Sequence, residues 1–439
     1  MVSGANFAVN IGLARLLSPD EYGGFAVIYS LFLFIAGFHN ALVLEPMNVL
    51  GASRSGDALT KYFGALLKIQ IGMLTLLSCW LVVAAVVVDG FYQGLAKPLL
   101  GLALTLPCLL LFWFFRQACY LKTKPGFALC GGLAYIIFVG VGLATLRLSD
   151  GLSAFSAFII LGFGSVAASI VLLCLLSAIG NRPSLRNTDS VYTVLKEHWR
   201  YGRWVMGSAF VYGLSNFFYL PLVSAFAGLA QAGALRAMQN LVAPVQQLLT
   251  AFNLLWLPWA ARQTRTMDQS TLRSKLLAIL GTIATTAVGY ALLLLSFAAP
   301  LTALLYGQDN NYSQFLWILP YLISAIVIGA LNNGLILFLK ALRRPDQVLL
   351  SQIGSALLTL TVGVFLVWQF GILGTAIGSI ISAVAAALIL AWQLWNSPVF
   401  AQQSSSGIAQ RQDHIAWLLP SMDRGLRHAD SVLKTGRDV

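Results

Sequence analysis

The residues able to do chemistry in this sequence are few and mostly set in apolar surroundings. Arg236, Asn240 and Gln247 stand at i, i+4 and i+11, which on a helix brings all three near one face. A guanidinium beside amides offers charge-assisted donors to an anion and neutral partners to hydroxyls. The same arginine could instead snorkel to a headgroup layer. Asn6 and Asn10 share a helix face, and Asn216 lies on a later helix; such amides bind hydroxyl-rich ligands or bond between helices. Lys68, seven residues past Lys61, is either a lining cation or a snorkelling one. His39 could exchange a proton near neutral pH, and Glu45 could hold H+ or Na+. A neutral, hydrogen-bonded imidazole and an interfacial carboxylate are the plainer alternatives. Asn332 and Asn333 read as structural, and Arg116 as a marker of a helix end.

Enzyme chemistry finds little support. The four His (His39, His198, His414, His428) are far apart, and no HExxH occurs. No Cys pair has metal-ligand spacing; Cys79, Cys108, Cys130 and Cys174 sit in apolar stretches, as small hydrophobes do. No GxxxxGK[ST] loop is present, so an ATP motor would have to come from a partner. No cofactor is expected; coupling to an H+ or Na+ gradient is the open possibility.

The elements that must position these residues follow from composition. Of 439 residues, 58% are hydrophobic and 10% charged, with a mean hydropathy of +0.80. Soluble chains carry about 25% charged residues, so the expectation is an all-α polytopic membrane protein. A span needs roughly 20 apolar residues. Eleven segments qualify, near 22–45, 64–88, 98–115, 127–146, 152–179, 204–228, 232–260, 276–298, 314–339, 348–369 and 372–396. β-Barrel strands alternate every second residue; IGMLTLLSCWLVVAAVVV (71–88) does not. Residues 1–14 are too short to span, and no basic stretch marks them as a signal peptide. They are expected to be the end of a first helix lacking roughly 8–15 upstream residues.

Lys and Arg mark the cytoplasmic side. The even-numbered loops and the C-terminal tail carry 22 of the 27, the odd loops and their helix ends only 4. Twelve helices then place both termini in the cytoplasm. The +12 charge is spread over six such elements, which fits topology and contact with membrane lipids rather than nucleic acid. A polar linker at 180–203 would join an N-terminal lobe (1–179) to a C-terminal lobe (204–397). The tail (398–439) is hydrophilic, opens near a QQSSS stretch and includes HIAWLLP (414–420), which either lies on the membrane surface or is frayed.

The halves echo each other. Asn6-Phe7 precedes Gly23 by 17 residues, and Asn216-Phe217 precedes Gly233 by the same 17. Leu121-Lys122-Thr123-Lys124-Pro125 is matched by the basic turn Leu339–Pro345. The offsets, 210 and 218 residues, predict two parallel six-helix repeats that could rock about a central site. Gly374, Gly378, Ser382 and Ala386 recur every fourth residue, a stripe suited to close helix packing.

The stretch LARLLSPDEYGGFAVIYSL (13–31) resembles the first loop and second helix of polysaccharide-transport flippases, the Wzx-like O-antigen and exopolysaccharide exporters of the MOP flippase superfamily. FGILGTAIGSIISAVAAAL (370–388) is similar to the start of their last helix, and the two basic turns fit their pattern. The resemblance implies a MATE/MOP-like fold of two six-helix lobes, with a central cavity lined by helices 1, 2, 7 and 8. It implies a bacterial inner-membrane flippase whose substrate is a polyprenyl-diphosphate-linked oligosaccharide, working beside polymerase and export proteins. Asp20-Glu21 then reads as a turn cap rather than the acidic pair of a membrane glycosyltransferase. The Arg-Asp pair of the first helix of lipid II flippases is not seen in residues 1–14. A cation-coupled small-molecule exporter of the same superfamily is the alternative. A glycan polymerase or ligase is less expected, because the longest odd loop (299–313) has no Lys or Arg.

Overall fold

The computed structural model describes residues 2–178, 188–263, 269–308, 311–341 and 344–396. The expected tail, its HIAWLLP patch and part of the linker lie outside the described residues. Twelve long helices follow in order among the described residues: α1 Val2–Leu16, α2 Pro19–Gly51, α3 Gly56–Asp89, α4 Gln93–Leu121, α5 Pro125–Leu148 and α6 Ala154–Ala178 in the first half. The second half holds α7 Val191–Ala227, α8 Leu229–Gln263, α9 Gln269–Ser296, α10 Leu319–Ala341, α11 Asp346–Phe370 and α12 Ile372–Trp395. No strand occurs among the described residues.

Ten of these helices are long and apolar enough to cross a membrane, against the eleven segments expected. The exceptions are α1, at 15 residues, and α8, which is long but broken up by Gln231, Arg236, Gln239, Asn240, Gln246 and Gln247. In lipid such polar groups are tolerated where they face protein or water. The least apolar long helix is therefore the first to suspect of lining a path.

Within the linker expected at 180–203, the chain is already helical from Val191, and the Ser190 side chain accepts from Thr193 N–H to start the turn. Ser18 does the same for α2, accepting from Glu21 N–H at 3.3 Å, with Pro19 opening the helix. Glu21 reaches further: its carboxylate accepts from Ala154 N–H at 2.7 Å and so caps α6. The odd loop expected at 299–313 is largely folded, as a short helix Ala298–Tyr306 and a 3₁₀ turn Ser313–Ile318.

The repeat is visible in local geometry. Lys124 and Arg344 precede Pro125 and Pro345, at the starts of α5 and α11, with φ −114°, ψ 63° and φ −115°, ψ 61°. Each N–H closes the preceding helix five residues back, onto Cys119 and Leu339 carbonyls, both at 2.9 Å. The other repeated pair, Gly23 and Gly233, meets at the crossing of α2 and α8. A Cβ on Gly23 would overlap the Leu229 carbonyl, and one on Gly233 would stand 2.6 Å from the Pro19 carbonyl. In lipid such approaches, not hydrophobic exclusion, hold helices together. The α12 stripe serves the same end: Gly374 lies on the Leu366 backbone, Gly378 on Tyr219 and Gly363, and Ser382 bonds Thr359 at 3.1 Å.

Candidate functional site

Beside the α2–α8 crossing, Arg236 sits two turns into α8 and half-buried. Its Nε donates to Asn10 Oδ1 of α1 at 3.4 Å, and its guanidinium lies 5.8 Å from the Tyr29 ring centroid. One turn on, buried Asn240 donates to the Tyr22 hydroxyl of α2 at 2.9 Å. Both halves thus contribute to one polar cluster, as the i, i+4 spacing predicts for Arg236 and Asn240. No carboxylate pairs with Arg236 among the described residues; Arg54–Glu197 and Lys61–Asp57 are ion pairs elsewhere. An unneutralised cation in a membrane interior is costly unless it meets an anion or water.

The cluster is roofed by the segment after α9. The Tyr306 hydroxyl donates to the Ala237 carbonyl at 2.8 Å, and Tyr312 packs edge-on between Tyr306 and Tyr22, at 5.2 and 6.2 Å. Burial holds both phenols protonated far above the usual range.

Along α1 the polar strip continues. Asn10 Nδ2 donates to the Asn6 carbonyl at 2.8 Å, and Asn6 Oδ1 accepts from Tyr135 of α5 at 3.2 Å. Asn6, Tyr29, Tyr135, Phe112 and Trp113 line a cavity of about 10 Å³, room for about one water.

The ion-coupling candidates lie in separate networks. His39 is buried at the start of a π turn, Asn40–Leu44, within α2. Its Nε2 is within 3.0 Å of the Gln70 amide of α3, while buried Nδ1 has no partner among the described residues. Glu45, just past that turn, accepts from the Tyr201 hydroxyl at 3.2 Å. Nearby, His198 of α7 bonds Tyr62 at 2.7 Å and the Leu42 carbonyl at 2.9 Å.

Other expected residues stand apart from the cluster. Asn216 is exposed and donates to its own helix at Tyr212 (2.8 Å). Gln247 is exposed, and Lys68 is exposed and donates to Thr188 at 3.2 Å, beside the linker. Asn332 donates to the Ala383 carbonyl of α12 at 2.9 Å, a packing role. Residues alone did not point to Tyr22, Tyr29 or Tyr306; the signal available was the i, i+7 spacing of two tyrosines on α2.

The fold is similar to that of solved transporters of the MOP superfamily. An inward-facing multidrug resistance MATE transporter aligns with a TM-score of 0.76 at 14% identity, over 92% of this chain and 96% of that one. The lipid II flippase MurJ, in an inward closed conformation, aligns with a TM-score of 0.72 at 14% identity, over 91% and 86%. A MOP transporter from Pyrococcus furiosus aligns at 0.62 with 12% identity, over 89% and 92%. The sequence profile of the polysaccharide biosynthesis protein family matches residues 12–314, and the chain belongs to that family. No curated protein matches the sequence.

Proposed function

We propose that this protein translocates a polyprenyl-diphosphate-linked oligosaccharide, an O-antigen or exopolysaccharide repeat unit, across the bacterial inner membrane by alternating access. The observation that carries the reading is Arg236, a cation without a carboxylate, held where both halves meet among Asn10, Asn240, Tyr22 and Tyr29. A diphosphate or sugar acid would meet charge-assisted donors there, hydroxyls would meet amides, and sugar rings would meet tyrosine faces. The polyprenyl tail stays in lipid. The family description, polysaccharide biosynthesis, supports a glycan cargo.

The basic residues put both termini in the cytoplasm. In that orientation the Gly23–Gly233 contact and the Tyr306–Tyr312 roof close the periplasmic side, and rocking of the lobes would open it. His39 and Glu45 are the residues for coupling to H+ or Na+. Membrane lipids, a polymerase and export proteins are the expected partners. The small cavity beside Tyr29 favours a second reading, a cation-coupled exporter of small molecules. The test is a null strain complemented with Arg236→Ala. Carrier-linked glycan accumulating on the cytoplasmic face, with normal protein levels, supports the flippase; unchanged glycan export refutes it.

A further inference from the structure

We infer that Arg116 anchors a second anion site, which takes an acidic group carried next to a sugar ring. The sequence makes this residue a helix-end marker facing headgroups; its surroundings differ. Leu109, Phe112 and Trp113 line the cavity beside Tyr29, and Arg116 continues their face of α4 at i+7, i+4 and i+3. Its guanidinium lies 5.8 Å from the Phe112 and Trp113 ring centroids, and Phe112 in turn stacks on Tyr135 at 5.3 Å. A snorkelling arginine spends its donors on water. Here Nε is buried and has no partner among the described residues, and no carboxylate pairs with the side chain there. Arg116 is half-buried and Tyr120, one turn further along α4, is 48% exposed, so Arg116 stands at the edge of the open surface with its Nε turned inward.

The site is continuous with the Arg236 cluster. Asn10 bonds Arg236, Asn6 bonds Tyr135, and the two asparagines are linked through the Asn10 amide and the Asn6 carbonyl. Two unneutralised cations are therefore joined by one wall of amides and aromatic rings. Arginine donors recognise carboxylate or phosphate oxygens, and ring faces accept a sugar's C–H surface. The anion is either the carboxylate of an acidic sugar or the diphosphate of the carrier. Its place on the transport path rests on the flippase reading; its binding does not.

The test is equilibrium binding to the full chain in lipid nanodiscs, with an oligouronate, a neutral oligosaccharide of equal length, and inorganic diphosphate as probes. Arg116→Gln is expected to weaken an acidic probe about 10–100-fold, the range for a lost charge-assisted hydrogen bond, and to leave the neutral one unchanged. Arg116→Lys, which keeps the charge, should retain part of that affinity and serves if the glutamine variant does not fold. Loss for the oligouronate alone assigns the site to an acidic sugar, and loss for diphosphate alone to the carrier. Wild-type affinity of the folded variant for both acidic probes overturns the inference, even where Arg236→Ala abolishes glycan export. Normal export by Arg236→Ala would sink the flippase reading and leave this binding result standing.

Discussion

Gly23 and Gly233 touch backbone to backbone where α2 crosses α8, and they are the same position in the two halves of the chain. Neither has room for a Cβ without displacing the other helix. Gly23→Ala and Gly233→Ala should each cost about 1–3 kcal/mol, the range for overpacking a tight contact. Thermal unfolding in detergent reads this directly. A wild-type melting temperature for both variants would show that the crossing can separate freely.

Arg236 and Asn10 join the halves through one long hydrogen bond of 3.4 Å. Arg236→Ala is expected to abolish glycan export, and Arg236→Lys to keep part of it, because the charge survives without the planar fork. Asn10→Ala should reduce export by less than tenfold, since a hydrogen bond to a charged group contributes about 1.5–3 kcal/mol at good geometry and this one is long. Export rates at matched protein levels give the order; a lysine variant as inactive as alanine would point to geometry rather than charge.

Tyr312 holds the Ala298–Tyr306 helix against Tyr22 by ring contacts. Tyr312→Ala should therefore raise hydrogen exchange across residues 298–306. Tyr306→Phe, which removes one hydrogen bond to Ala237, should change it little, by about 1 kcal/mol. Equal protection in wild type and Tyr312→Ala would mean the roof is held by other contacts.

At the basic end, α7 is tied to α2 and α3 through two kinds of contact. The Arg54–Glu197 pair is partly exposed, with Arg54 also 4.0 Å over the Tyr62 ring. His198 is buried and bonded on both nitrogens. Glu197→Gln should cost about 0–1 kcal/mol and His198→Ala about 1–3 kcal/mol, because the second strands buried partners. Melting temperatures in the reverse order would contradict this ranking.

If His39 couples transport to protons, His39→Gln should keep a bond to Gln70 but lose the response to a collapsed proton gradient. Export assayed with and without an uncoupler decides. A variant that stays uncoupler-sensitive excludes His39, and Glu45→Gln is then the next to test.

Apolar run lengths, the basic loops and the paired prolines after Lys124 and Arg344 are local properties of the chain. They were enough to settle an all-helical membrane fold built from two like halves, because in lipid each span must satisfy its own backbone. They also placed Arg236 and Asn240 on one face, since helical spacing is fixed. What lies opposite a face is a matter of packing over long sequence separations. The sequence alone could not tell that Asn10 meets Arg236 across 226 residues, that Glu21 caps α6, or that Lys68, Gln247 and Asn216 stand away from that meeting point. Nor could it show that Arg116 turns toward Phe112 and Trp113: a cation near a helix end has one local signature whether it faces headgroups or the interior, and only the neighbouring helices decide.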